Sequence, residues 1–212
     1  FNKALADLIK ETIKNHKCII FNGNGYGDEW VVEAEKRGLL NLKTTPDCLP
    51  YSIKEKNAKM LTGLGVMSET ELQSRYIIQL ENYCESMLIE ARTAVEMVNE
   101  DFLPVISKYS TDLANRVITK KQVCSTISCD YEEETLLSLS KLLSDAKKLV
   151  DKLESSISSM KFDEILKKAM FIKDYVIPTM SELRNKIDSA EKICPESIWP
   201  FPSYGKLMFS VI

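Results

Sequence analysis

The 212-residue sequence is 44% hydrophobic and carries 28 basic against 31 acidic side chains, a formal charge of −3. This length suits one large domain, or one domain plus part of another, with enough apolar residues for a core. The near balance of charge argues against a phosphate-binding surface, and no run approaches the roughly 20 apolar residues that span a bilayer. Neither nucleic acid nor membrane is therefore expected as a partner.

The six cysteines (Cys18, Cys48, Cys84, Cys124, Cys129 and Cys194) are scattered. Disulfide frameworks are denser and sit in shorter secreted chains, so the pattern reads as reduced thiols of a cytoplasmic protein. Only Cys124 and Cys129 are close, and their spacing is not that of a zinc ribbon. With His16 as the sole histidine, no metal site is expected. The sequence starts at Phe1 without an initiator Met, which predicts further chain upstream. Its first residues do not read as a signal peptide.

In chain order, residues 1–15 predict a helix, with Leu5, Leu8, Ile9 and Ile13 on one face. Cys18–Phe21 is a short apolar run and predicts one buried strand. The loop NGNGYG follows at 22–27 with Gly23, Gly25 and Gly27, read as a turn that uses glycine's access to positive φ. Asp28 is the expected N-cap of a helix over 29–37 that Gly38 closes. Residues 39–50, with Pro46 and Pro50, read as irregular, and 51–62 as a helix ending near Gly63 and Gly65. Ser68-Glu69-Thr70-Glu71 fits a capping box. A long helix then runs to about Lys121, with Leu72, Tyr76, Leu80, Tyr83, Met87, Ala91, Ala94 and Val98 at helical steps. Pro104 should kink it near Phe102–Leu103. After a break at 123–129, Asp130-Tyr131-Glu132-Glu133 is a second capping signal for a leucine-rich helix to about Ser159. Residues 155–161 predict a turn. A last helix over 163–193 contains Pro178, a second expected kink. The tail holds Pro195, Pro200 and Pro202 with Trp199, Phe201 and Tyr204. It should be extended and packed through its aromatics.

The fold class that follows is mainly α: an antiparallel bundle of long, proline-kinked helices, preceded by a small α/β piece. The expected domains are 1–50 and 51–212, the second with a return tail over 195–212.

The chemistry-bearing motifs point away from catalysis. The glycine loop between a strand and a helix suggests a dinucleotide fingerprint, but Asp28 stands where the third glycine belongs and would repel a pyrophosphate. No Walker lysine is present. Asp28-Glu29, Glu100-Asp101 and Glu132-Glu133-Glu134 sit at helix starts or on polar faces, and read as solvated carboxylates rather than an acid–base pair. Cys18 or Cys194 could meet His16 only through the fold, and Cys18 on an apolar strand reads as inert core. No catalytic, cofactor-binding or metal-binding residue is assigned within the chain.

Two strings are distinctive: FNGNGYGDEWVVEAEKRGLLNLKTTPD at 21–47 and WPFPSYGKLMFSV at 199–211. With ETELQSRYIIQLENY at 69–83 and the long helix that follows, they resemble the C-terminal region of type III glutamine synthetases. The resemblance covers essentially the whole chain. It departs from the family pattern at Gly27, where the family often has Ser, and at Cys48, where it has Ala. It implies a parent ligase that uses ATP and Mg or Mn ions to join ammonia to glutamate, assembled as a double-ring dodecamer. The family's metal ligands and substrate arginines match no position here and are implied upstream of Phe1. By the same resemblance, residues 1–50 end the catalytic domain, the long helices form an added C-terminal domain, and the tail returns to the body. The upstream catalytic domain and further copies of the chain are the implied partners. The alternatives are a free-standing helical interaction module, whose gene would start near Phe1, and a small nucleotide-binding enzyme using the glycine loop.

Overall fold

A computed structural model describes residues 1–209. The chain divides into two compact units, Phe1–Cys48 and Leu49–Ile212. Among the described residues there is no strand, so the fold is mainly α throughout. None of these helices is long and apolar enough to cross a membrane.

The first unit opens with α1 (Asn2–Asn15), in which no residue is buried. The strand expected at Cys18–Phe21 is absent, which corrects the α/β expectation for this piece. A lone strand needs a partner ladder for its backbone groups, and none of the described segments provides one. Residues Lys17–Ile19 instead form a 3₁₀ turn, closed by Ile19 N–H to the His16 carbonyl and Ile20 N–H to that of Lys17, both at 3.1 Å. Next comes α2 (Asp28–Lys36), whose N-cap is Gly27 rather than Asp28. Asp28 lies in the first turn, where its charge favours the helix dipole. Gly38 (φ +70°) ends α2 as expected: its N–H reaches the Glu35 carbonyl and the Leu39 N–H reaches that of Ala34, a Schellman closure. The second half of the segment expected to be irregular instead begins α3 (Thr45–Ser52), with Pro46 in its first turn, where a missing donor costs nothing.

In the second unit, α4 (Glu55–Gly63) stops at a left-handed Gly65 (φ +66°) by the same closure, Gly65 to Thr62 and Val66 to Leu61. The long helix α5 (Glu69–Met97) starts at the expected capping box. Glu71 N–H donates to Ser68 Oγ at 3.2 Å, and Ser68 N–H donates to the Glu71 carboxylate at 2.7 Å. It continues through a π-turn, Val98–Phe102, into α6 (Leu103–Val123), the three together roughly 80 Å long at 1.5 Å per residue. The chain returns as α7 (Asp130–Ser158), whose N-cap is Cys129 with no side-chain capping bond. It rises again as α8 (Ile165–Phe171), a second π-turn at Ile172–Val176, and α9 (Ile177–Glu191).

The two kinks predicted from proline are thus π-turns. Each ends two residues before its proline, Phe102 before Pro104 and Val176 before Pro178. Proline offers no N–H to the preceding turn and clashes with the carbonyl four residues back, and one extra residue in that turn accommodates both.

Helix α7 packs between α6 and α9. The core of this unit is one contiguous cluster. It includes Leu80, Cys84, Ile106 and Leu113 from α5–α6, Leu139, Val150 and Leu153 from α7, and Ile172, Val176, Leu183 and Ile187 from the last helical run. The tail bends past Cys194 without helix through Pro202, then forms a short α10 (Tyr204–Phe209) where extended chain was expected. Of its aromatics, Trp199 and Phe201 pack on Phe102 as expected, with centroids 5.2 and 5.3 Å away, whereas Tyr204 is exposed. Residues 210–212, the end of the expected return tail and of its distinctive string, lie outside the described residues.

Candidate functional site

The glycine loop of the first unit is organised by Asn24 and Phe21. The Tyr26 N–H donates to Asn24 Oδ1 at 3.0 Å, and the Gly27 N–H to the Asn24 carbonyl at 3.2 Å. None of Gly23, Gly25 and Gly27 has a positive φ, against expectation. Gly23 serves close approach instead: a Cβ there would lie 2.4 Å from Phe21 Cζ. The Phe21 ring lies 4.5 Å from that of Trp30 on α2. On Phe21 also sits Arg37, its guanidinium carbon 5.8 Å from the ring centroid. Arg37 donates to the Ile20 carbonyl at 2.6 Å, the Cys18 carbonyl at 3.3 Å and Glu33 at 2.5 Å. Trp30 packs on Phe21, whereas Tyr26 is fully exposed.

This geometry does not fit a nucleotide phosphate. A phosphate cradle presents unpaired N–H groups and a cation at a helix start. Here the first turn of α2 carries Asp28 and Glu29, and Arg37 is already engaged with two carbonyls and a carboxylate.

The nucleophile candidates differ in burial. Cys18 and His16 are exposed, which corrects the reading of Cys18 as core. Cys194 is buried in the bundle, and burial pushes its thiol up to about 11, so it stays protonated and inert. Cys84 is buried and raised for the same reason. Cys124 is exposed, and a hydrogen bond with the Thr126 hydroxyl at 3.0 Å holds its thiol below the usual range.

Glu132, expected from its helix-start position to be solvated, is only 8% exposed and is paired with Lys120 across the α6–α7 contact. The hydrogen bond to Lys120 holds its carboxyl below the ordinary carboxylate range and raises the lysine. A second tie, Lys186 to Asp145 at 2.9 Å, joins α9 to α7. Both pairs fix how helices lie against each other. Neither was legible from periodicity, because each partner sits on a different helix. Among the described residues, no three His, Cys, Asp or Glu side chains are grouped so as to hold a metal ion. In the second unit, a groove of about 860 Å³ lies between α5, α9 and the tail, lined by Met87, Met97, Met180, Trp199 and Phe201 among others.

The sequence comparisons supply what the chemistry does not. Residues 4–121 match the family model described as glutamine synthetase C-terminal domain. The chain belongs to this family. It is 39% identical to a glutamine synthetase of Butyrivibrio fibrisolvens over 97% of its own length and 29% of that protein's. It is 31% identical to the type-3 glutamine synthetase of Dictyostelium discoideum, covering 99% of this chain and 29% of the relative. A Bacteroides fragilis glutamine synthetase is 29% identical over the same shares. The chain therefore spans 29% of the length of the curated glutamine synthetases it matches. The family match runs through both units, from α1 to the last turn of α6.

Proposed function

We propose that this chain is the C-terminal region of a type III glutamine synthetase, a cytoplasmic ATP-dependent ligase of nitrogen assimilation, and that its role there is structural. The observation that carries the reading is the near-complete alignment of the chain with 29% of three glutamine synthetases. On this reading the γ-glutamyl phosphate chemistry, the ATP and the Mg or Mn ions belong to residues outside the chain. The first unit completes the catalytic body, and the helical unit takes part in assembling a double-ring dodecamer.

The surface of α1 supports a covering neighbour. Leu5, Leu8, Ile9 and Ile13 form its apolar face, and each is 43–61% exposed. A contiguous apolar row of this kind marks an interaction surface. The tail offers a comparable surface at Tyr204, Leu207, Met208 and Phe209.

The test is a γ-glutamyl transfer assay with ATP and Mn or Mg ions on the isolated 212-residue chain. The expected rate is background. Activity above background would place the site inside this chain and overturn the reading.

A further inference from the structure

The two π-turns share sequence geometry but not surroundings. At Ile172–Val176 both end residues are buried in the core, and the one stacked ring, Tyr175 on Phe171 at 5.0 Å, lies on the same helical run. At Val98–Phe102 only Val98 is buried. The outer end of that turn, Phe102, is instead covered by Trp199 and Phe201 from the C-terminal segment. A π-turn packs less favourably than α-helix and persists where its surroundings over-determine it. The core does this for the second turn; at the first, Val98 lies in the core, while Phe102 packs on its edge and under Trp199 and Phe201.

The covering segment has its own bracing. Ser203 Oγ donates to Glu196 Oε1 at 2.6 Å, Lys206 Nζ lies 3.4 Å from the same oxygen, and the Ile198 N–H donates to the Pro195 carbonyl at 3.1 Å. Residues 195–206 thus form a self-closed strap with an aromatic foot on Phe102. The foot is shallow: Phe201 is 39% exposed. Beside it lies the groove of about 860 Å³, bordered by Met87, Met97 and Met180, whose unbranched side chains adapt to a moving neighbour.

We propose that the π-turn Val98–Phe102 and the C-terminal strap form one conformational device: Trp199 and Phe201 clasp Phe102 and hold the α5–α6 joint in register, and lifting the strap loosens that joint. The coupling is reciprocal, because the clasp is one set of contacts seen from two sides. Motion imposed on the tail reaches the middle of the long helix through it. The proposal stands on this geometry alone and does not depend on the ligase reading.

Hydrogen exchange read by mass spectrometry on the full chain tests it, with the second π-turn as internal control. Trp199→Ala is expected to speed exchange in peptides covering residues 98–106 about tenfold, the scale of lost aromatic contacts, while residues 172–180 keep their protection. In the reverse direction, Trp30→Phe leaves Trp199 as the only tryptophan. Adding Phe102→Ala should raise its acrylamide quenching towards that of free indole, with helical circular dichroism retained. Phe201→Ser, at an exposed ring, gives a milder version of both effects and serves if Trp199→Ala fails to fold. Unchanged exchange at 98–106, or equal acceleration at both π-turns, would overturn the device.

Discussion

The two units of this chain reach order by different routes. The helical unit buries a cluster of leucine, isoleucine and valine side chains contributed by all of its long helices. The first unit buries only Ala34 and Pro46 among its 48 residues, and leaves the apolar face of α1 open. It holds its loop with directed contacts instead: Phe21 on Trp30, and Arg37 gathering the carbonyls of Cys18 and Ile20. Burial of apolar area is the main stabilising term in folding. The helical unit therefore draws its order from burial, whereas the first unit draws its order from a few directed contacts.

The largest expected effect lies in the bundle. Leu153→Ala or Leu80→Ala, both fully buried, should cost roughly 2–5 kcal/mol in denaturant unfolding, while Leu8→Ala on α1 should stay within about 0.5 kcal/mol in the same chain. Comparable losses at the two places would break the contrast.

The next effect concerns pH. The carboxyl of Glu132 is held below its unfolded value, so its pairing with Lys120 adds stability that is fully present above the ordinary carboxylate range. That stability is lost as pH falls through the lowered folded value. The bundle's melting temperature should fall with acid across this window, and the Glu132→Gln variant should show a flatter profile and a lower starting point at neutral pH. Parallel profiles would remove the pair from the account.

Smaller effects are expected in the first unit. Gly38→Ala forces a side chain into φ +70° and should cost about 1 kcal/mol locally. Gly23→Ala collides with the Phe21 ring and should change Trp30 fluorescence. Neither should move the melting of the helical unit, and a shared shift would show the two units to be energetically one.

What was legible in the sequence follows the same division. Helical period, the Ser68–Glu71 capping box and the glycine stops at Gly38 and Gly65 identified the elements, because each is a local signal with a local cause. Prolines marked where the helical ladder changes, near Pro104 and Pro178, but not that both places become π-turns, since a kink and an inserted residue both answer proline's missing donor and clash. Cys18–Phe21 looks like a strand in sequence but forms a 3₁₀ turn at its start, because four apolar residues do not reveal whether a partner ladder exists. Burial of Glu132 was missed because its partner Lys120 lies on the preceding helix, where helix-start chemistry alone suggested a solvated carboxylate. For the candidate site, the absence of a Walker lysine and the position of Asp28 already argued against a phosphate cradle. The role of Gly23 beneath Phe21 needed coordinates. The family was legible only through resemblance, since no chemical motif within the chain names a reaction.

On the proposed function, the helical unit serves the assembly of the full-length protein. Light scattering on that protein, with and without residues 66–194, is the decisive test. The intact protein should have the mass of a multi-subunit ring, and the deletion should fall to smaller species. An unchanged mass after the deletion would contradict it.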